Sequence, residues 1–460
     1  MNTWKRLLNR VVYNNDPDLV LSPAKKNMDR FIVQAMLGTA YSTLSGGIFL
    51  SGYLLYLGAP DSITSYVPIL PSICGIFLIF FSTLLDKRET RKKLLMCVNA
   101  MCKVFLISVA FVPMFVPDPY RVPIIFVFLI IGQTIAGVNG IAFNSWFNEL
   151  IPGQIKGRYF STRQIFCVLI SAVLPVSAGY FVDQMTNQYL AFVILFACAG
   201  IVGGIEILMF GRIDDVRMEV LKAKSGIFKA FLMPLQNKPF RMYVLIVCLF
   251  HFFLYVAASF SQIYLLRYLH SSFTFINAMS IIASVLQILI FYKFWGKVTD
   301  RLGANFVLIA SMSLYIIDML IWMFIDQASL IVLYPLLQIV AAVEGAGFTV
   351  GVYTRRYDII PKEGRSVYDS FFVCCLGVTL LISPFVGGLL RDVFEGMAVF
   401  SAVPFGSFRA VYLVAAVTLL GLHIFHCRYA RKQNEGQPLF SKERMKQLKL
   451  MFMESIGLRR

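Results

Sequence analysis

The sequence predicts an all-α integral membrane protein in which twelve transmembrane helices form two pseudo-symmetric six-helix bundles. Hydrophobic residues make up 58% of the 460 and charged residues only 15%, whereas soluble globular chains are roughly half apolar and about a quarter charged. Apolar stretches of about 18–27 residues, long enough to cross a bilayer, recur along the chain. Short polar motifs also recur in the same order in both halves, which indicates an internal duplication.

The apolar stretches define the elements in order. The predicted spans are 31–57, 62–85, 94–116, 122–146, 164–184, 190–211, 241–268, 272–295, 306–326, 329–353, 366–391 and 409–428. The predicted domains are an N-terminal segment (1–30) with an interfacial helix, an N-terminal bundle (31–211), a linker (212–240), a C-terminal bundle (241–428) and a basic tail (429–460). In the tail, one helical face carries Met445, Leu448, Phe452 and Ile456, which is typical of a helix on a membrane surface.

Basic residues concentrate in the connections that follow even-numbered spans, in the linker and in both terminal segments. The odd-numbered connections carry almost none besides Arg121, Arg267, Arg391 and Arg409. Since the basic side of a membrane protein faces the cytoplasm, we expect a multi-pass protein of the cell membrane with both termini and the linker in the cytoplasm. This topology accounts for the net charge of +17 without a nucleic-acid partner.

Three pairs of motifs carry the duplication. They are LLDKRETRKK (84–93) with WGKVTDRLGAN (295–305), LIPGQIKGRYF (150–160) with IIPKEGRSVY (359–368), and LPVSAGYFVD (174–183) with SPFVGGLLRD (383–392). The first pair lies between the second and third span of each half. An even number of spans per repeat gives both copies the same orientation, so a two-fold axis along the membrane normal relates them.

The first pair of motifs resembles the signature of the major facilitator superfamily, Gly-x-x-x-Asp-Arg/Lys-x-Gly-Arg followed by a basic residue. The second copy matches at Gly296, Asp300, Arg301 and Gly303, and ends in Ala304 and Asn305 where basic residues are expected. The first copy matches at Asp86, Lys87 and the basic run 91–93, with Ser82 and Glu89 at the glycine positions. The resemblance implies the two-bundle fold of that family and transport by rocker-switch alternating access.

The charged residues of these connections are predicted to act in conformational gating. An acidic residue at a helix end can accept hydrogen bonds from the start of a neighbouring helix, and the basic residues can pair with acids of facing loops. The predicted gating residues are Asp86, Lys87, Arg91, Arg158, Asp300, Arg301 and Arg365. The alternative is that they are only topology signals and solvated loop charge.

The resemblance also implies that the first and fourth spans of each half line a central cavity. Those four spans carry polar stripes at helical spacing, and the predicted substrate-binding residues are Gln34, Tyr41, Gln133, Asn144, His251, Tyr255, Gln262 and Gln338. The alternative for each is a packing role, since small residues permit close approach and amides bond across helices.

Five ionisable side chains fall within predicted spans, where charge is costly. Glu344 lies mid-span, and burial of a carboxyl favours its protonated form, so we predict that it carries a coupling proton or binds a substrate cation. His251 is the second candidate for proton coupling, or else a hydrogen-bonding partner between helices. Lys103 and Asp318 are expected to snorkel or to form local structural pairs, and Glu206 to be interfacial.

Together these features predict a secondary active transporter that moves a small solute and is coupled to protons. The four histidines lack metal-ligand spacing and no G-x-x-x-x-G-K-[ST] loop occurs, so we expect no metal, no cofactor and no enzymatic activity. The expected partners are a small-molecule substrate, membrane lipid and a coupling ion, with the chain acting as a monomer. Two alternatives stay open, an exporter of drugs or amphipaths and a non-transporting sensor or scaffold of the same fold.

Overall fold

The computed structural model describes residues 23–77, 92–150, 156–214, 233–361, 365–433 and 442–455. This part of the chain is helical and contains no strand. Ten of its helical segments are long and apolar enough to cross a membrane. The all-α membrane architecture predicted from composition and apolar runs is therefore confirmed.

The helices of the first half begin at Pro23. They are α1 (Pro23–Ser45), α2 (Gly47–Tyr56), α3 (Lys92–Ser108), α4 (Asp118–Leu150), α5 (Lys156–Gln184) and α6 (Gln188–Gly211). The predicted span 31–57 is divided between α1 and α2 because Gly47 has φ +54°, a conformation outside the right-handed helix that glycine adopts readily. The predicted span 62–85 begins with four short helical segments, Asp61–Thr64, Val67–Ile69, Leu70–Cys74 and Gly75–Phe77, and its remainder lies outside the described residues.

The helices of the second half follow the same order. They are α7 (Lys238–Ala258), α8 (Phe273–Leu286), α9 (Tyr292–Leu302), α10 (Ala304–Phe324), α11 (Leu330–Ile359), α12 (Arg365–Glu395), α13 (Gly406–Gln433) and, in the tail, α14 (Lys442–Ser455). Two five-residue π-helical segments interrupt the regular winding, Tyr264–Tyr268 after α7 and Gln287–Phe291 between α8 and α9. Such wide turns are rare and often occur at functional sites.

The chain forms two compact units. Unit 1 comprises Met1–Pro60, Leu70–Lys224 and Ser272–Thr274, and unit 2 comprises Asp61–Ile69, Ser225–Ser271 and Phe275–Arg460. Two short segments, Asp61–Ile69 and Ser272–Thr274, thus belong to the unit that does not contain their neighbours in sequence. Each segment has a specific polar anchor, described below.

Glycines permit close contacts between helices in both units. In unit 1, a Cβ at Gly203 of α6 would lie 2.9 Å from the Lys103 side chain and 3.0 Å from the Tyr41 ring. In unit 2, a Cβ at Gly351 of α11 would lie 2.9 Å from the backbone of Leu308 in α10. Helices in lipid associate by close packing rather than by the hydrophobic effect, so these positions determine which polar side chains can meet inside each unit.

Helix α14 of the tail packs against unit 2. Met451 is fully buried in a hydrophobic cluster that includes Phe291, Phe294 and Trp295, and Glu454 lies 3.6 Å from Lys297. Met445, on the face predicted to contact lipid, is 47% exposed. The predicted tail helix is therefore present, with part of its apolar surface covered by protein. The predicted N-terminal interfacial helix lies outside the described residues.

Candidate functional site: two buried polar clusters

Unit 1 contains a buried ion pair between Lys103 on α3 and Glu206 on α6, whose side chains are 6% and 4% exposed. Lys103 also donates to the carbonyl oxygen of Gly203 at 3.1 Å. The carboxylate accepts further hydrogen bonds from Gln34 and, at 3.0 Å, from Asn99. We call these side chains, with Tyr41, the Lys103 cluster. A buried charge is tolerated only when it is paired and hydrogen-bonded, and both conditions are met here.

The Lys103 cluster corrects the expected position of Glu206 and contains two of the predicted substrate-binding residues. Glu206 is buried rather than interfacial, because Lys103 and two amides compensate its charge. Two predicted substrate-binding residues belong to the cluster. Gln34 contacts the carboxylate, and the Tyr41 ring lies 5.1 Å from the Lys103 ammonium, within cation–π range. The side-chain oxygen of Gln34, Oε1, is buried and has no hydrogen-bond partner among the described residues.

Unit 2 contains two buried carboxyl groups. Glu344 on α11 is 3% exposed, and its Oε2 has no hydrogen-bond partner among the described residues. Asp318 on α10 is also buried and lies close enough to Glu344 for the two charges to interact. Within the described part of the chain, neither carboxyl forms an ion pair with a basic side chain. Two carboxylates in one dry site cannot both be ionised cheaply, so this pair is chemically suited to hold a proton.

The helix turn that carries Glu344 is fixed from the side of α8 and α9. The indole nitrogen of Trp295 donates to the carbonyl oxygen of Val343 at 2.8 Å, and the Gln287 amide donates to that of Ala341 at 3.4 Å. A Cβ at Gly347 would lie 2.7 Å from the Trp295 ring. Two hydrogen bonds therefore hold the backbone that precedes Glu344, while one oxygen of its carboxyl has no partner in the described part of the chain.

Aromatic side chains of α7 and α11 pack on Tyr315 of α10, which lies near both carboxyls. Tyr315 interacts electrostatically with both Glu344 and Asp318. The centroid of its ring lies 5.2 Å from that of Phe250 and 5.7 Å from that of Phe348. We call Glu344, Asp318 and these rings the Glu344 cluster. It also includes His251, whose ring centroid lies 5.3 Å from that of Phe348. Both carboxyls are buried, which strengthens the electrostatic interaction between them.

His251 joins the Glu344 cluster through its ring. Its Nδ1 lies 2.8 Å from the carbonyl oxygen of Val247. A carbonyl only accepts hydrogen bonds, so Nδ1 must carry a proton, and the neutral ring then has Nε2 as an acceptor. The ring stacks on Tyr255 with centroids 6.2 Å apart and an angle of 3° between the planes. Two predicted residues, His251 and Tyr255, are thus neighbours on the same face of α7.

The remaining predicted binding residues are placed as follows. Gln338 is buried on α11 beside the Tyr334 hydroxyl. Gln133 on α4 and Gln262 after α7 are half-buried. Asn144 belongs to α4, and its side chain lies outside the described residues. Their assignment to a substrate site stays a prediction.

The predicted gating residues are only partly described. Asp300 and Arg301 are exposed at the end of α9, and within the described part of the chain neither forms a hydrogen bond or ion pair. Asp86, Lys87 and Arg91, and the side chains of Arg158 and Arg365, lie outside the described residues. The gating role of all seven stays a prediction.

Comparison with known proteins decides the family. A family model described as Major Facilitator Superfamily matches residues 30–350 and 243–455. The chain belongs to the major facilitator superfamily. No curated protein matches the sequence.

Solved structures with this superfamily member's fold include several transporters. A point mutant of the nucleoside transporter NupG matches with a TM-score of 0.68 and 15% identity, over 87% of this chain and 98% of that one. A D-xylose–proton symporter matches with a TM-score of 0.62 and 14% identity, over 87% and 96%. A bacterial homologue of the iron transporter ferroportin, in its inward-facing state, matches with a TM-score of 0.66 and 13% identity, over 88% and 98%. At these identities the likeness shows the fold alone.

A third polar site in this superfamily member was not anticipated from its sequence. Asp61, whose side chain is 5% exposed, accepts hydrogen bonds from Arg267 and Arg391 at 2.6 Å each and from the Tyr268 hydroxyl at 2.7 Å. These contacts anchor the segment Asp61–Ile69 in unit 2. A signal was available, because Arg267 and Arg391 are among the few basic residues of odd-numbered connections, and each needed an acidic partner.

The duplicated motif that ends in Asp183 and Asp392 has different partners in its two copies. Asp183 accepts hydrogen bonds from the backbone N–H groups of Phe273 at 3.0 Å and Thr274 at 2.8 Å. It therefore satisfies N–H groups that have no partner within their own helix, since Phe273 and Thr274 form the first turn of α8. The Asp392 carboxylate instead pairs with the guanidinium of its neighbour Arg391, with 3.2 Å between nitrogen and oxygen. The superfamily repeat is thus preserved in sequence at these positions while the contacts have diverged.

Proposed function

We propose that this superfamily member is a secondary active transporter that moves a small polar solute by rocker-switch alternating access, coupled to protons through Glu344. The observation that carries the proposal is the buried carboxyl of Glu344, one oxygen of which has no hydrogen-bond partner among the described residues, with Asp318 within electrostatic range. Ionisable groups in membrane spans are rare and usually mark ion or substrate pathways. A carboxyl takes up a proton on a single oxygen, whereas a metal cation would require several further oxygen ligands.

In the proposed cycle, Glu344 and Asp318 share a proton in one state of the carrier and release it in the other. His251 is the second candidate for proton transfer, since Nε2 of its neutral ring can accept a proton. The Lys103 cluster is the contrasting case, because its acidic residue already has a permanent cation. We therefore assign proton coupling to unit 2 and not to Glu206.

For the substrate, we propose a solute that combines hydroxyl groups with a flat face, such as a nucleoside or a monosaccharide. The support is the stacked pair of His251 and Tyr255, together with the amide of Gln338, which offer both stacking and hydrogen bonds. Two structural relatives are a nucleoside transporter and a D-xylose–proton symporter, so these two solute classes are the first to test.

The test uses the purified full-length protein in liposomes that contain a pH-sensitive dye. A pH gradient is imposed, and uptake of labelled nucleosides and monosaccharides is followed with the internal pH. We expect accumulation driven by the gradient, and we expect Glu344→Gln to abolish it while exchange of labelled for unlabelled solute continues. Exchange survives because a permanently neutral side chain mimics the protonated carrier, which need not release its proton to swap solutes.

The matched control is Glu395→Gln, which removes an exposed carboxyl at the end of α12 and should leave accumulation unchanged. If Glu344→Gln still accumulates solute against its gradient, the coupling assignment is wrong. A dye signal of the opposite sign, with protons leaving as solute enters, would identify an antiporter. Replacing the proton gradient by a sodium gradient should give no accumulation.

A further inference from the structure

A pocket lies at one end of unit 2, among the ends of α7, α10, α11 and α13. Its cavity volume is about 20 Å³, and it is partly open to the surface. This end carries the basic connections that follow the eighth and tenth predicted spans, and we call it the basic end. Arg355, which lines the pocket, follows Glu344 on α11 by three turns, roughly 16 Å. The pocket is therefore separate from the Glu344 cluster.

The polar lining of the pocket includes four side chains that can each donate a hydrogen bond. The side chains are those of Arg355, His426, Asn305 and Tyr429, and none of the described residues that line the pocket is acidic. His426 is 4% exposed, and its Nδ1 has no hydrogen-bond partner among the described residues. A buried ring nitrogen without a partner costs free energy, and a ligand in the pocket would remove that cost.

The start of α10 adds to the positive potential of the pocket. The helix begins at Ala304, so Asn305 and Leu308 line the pocket from its first two turns. The N-terminal end of a helix carries a partial positive charge and favours anions. A guanidinium, a helix start and neutral donors together match an anion with several oxygens, because Arg can bind two of them at once.

We propose that this pocket binds the phosphate group of an anionic membrane lipid. Arg355 contacts two phosphate oxygens, and His426 and the Asn305 amide donate to the others. The rest of the lining is largely apolar, including Leu308 and Ile359, which suits the glycerol and first acyl carbons of a lipid better than a free anion. Basic pockets between transmembrane helices near the cytoplasmic surface bind lipid headgroups, and the predicted topology puts the basic end on that side.

The experiment measures lipid binding to the full-length protein in neutral detergent by native mass spectrometry and by thermal stabilisation. The probes are phosphatidylglycerol, phosphatidylcholine with the same acyl chains, and inorganic phosphate. We expect phosphatidylglycerol to bind about tenfold more tightly than phosphatidylcholine, and Arg355→Gln to lose about that factor, as expected for one charge-assisted contact. Lys432→Gln is the control, since it removes an exposed positive charge from the end of α13 outside the pocket.

Asn305→Asp is a second variant that protects the test against a folding defect. A carboxylate near the start of α10 is favourable for the helix but repels phosphate and competes for Arg355, so lipid binding should again fall about tenfold. Phosphatidylglycerol binding that is unchanged in both pocket variants would overturn the proposal. Inorganic phosphate that binds as tightly as the lipid would overturn the lipid as the source of the phosphate. Neither result depends on the transport assay, so this proposal and the proposed function can fail separately.

Discussion

Replacing Lys103 by Met should destabilise the protein strongly, because it leaves the Glu206 carboxylate buried without a cation. Removing one partner of a buried ion pair costs about 3–5 kcal/mol. In Lys103→Met, Glu206 keeps its hydrogen bonds from Gln34 and Asn99, so the loss of stability should lie near the lower end of this range. Glu206→Gln should lie near the upper end, because the ammonium then retains mainly the Gly203 carbonyl.

The double variant Lys103→Met with Glu206→Met separates the ion pair from simple packing. Apolar replacement of a whole buried pair is often neutral, so the double variant should unfold within about 1 kcal/mol of the unmodified protein. The assay is thermal unfolding of purified protein in detergent, where each single variant should lower Tm by about 3–5 °C. Lys93→Met, at an exposed position of the same helix, should change Tm little. A double variant as unstable as the two single losses added together would refute the reasoning.

Three further predictions concern other contacts, each measured by thermal unfolding of the purified protein. Met451→Ala empties a fully buried site and should cost about 2–5 kcal/mol, whereas Met445→Ala at the exposed face of the same helix should cost little. Gly387→Ala should destabilise, because its Cβ would overlap a backbone carbonyl of α7, and Gly421→Ala should not, since no atom lies within 4 Å of that Cβ. Asp61→Asn removes the carboxylate that Arg267 and Arg391 share and should lower Tm by several degrees; an unchanged Tm would mean that water replaces this contact at no cost.

The elements of the fold could be predicted from the sequence because a membrane imposes a length and a polarity on every span. The exceptions have local causes. Gly47 divides the first predicted span through its φ of +54°, a backbone conformation that a window of hydropathy does not record. The wide turn at Tyr264–Tyr268 is equally invisible, because its residues are as apolar as those of a regular helix.

The candidate sites were less predictable, because they depend on which helices approach each other. Glu206 lies six residues before Arg212, and this closeness to a basic residue at the end of the span predicted an interfacial position. Six residues correspond to roughly 240° around a helix, so Glu206 and Arg212 point away from each other. The ion-pair partner of Glu206, Lys103, is on another helix, and Gly203 leaves room for the Lys103 side chain beside α6. Glu344 was identified correctly as buried, since its position in mid-span required no knowledge of its neighbours.

The wide turn at Tyr264–Tyr268 determines how Asp61 is bound. Arg267 and Tyr268 are consecutive, and in a regular helix consecutive side chains diverge by about 100°, yet both reach the same carboxylate. The wider turn contains more residues, so the angle between consecutive side chains is smaller. Arg267 and Tyr268 can therefore both donate to the Asp61 carboxylate. Deletion of a single residue from Tyr264–Tyr268 would restore regular helical winding and turn one of the two donors away from Asp61. The binding of Asp61 therefore constrains the length of this segment, which its composition does not reveal.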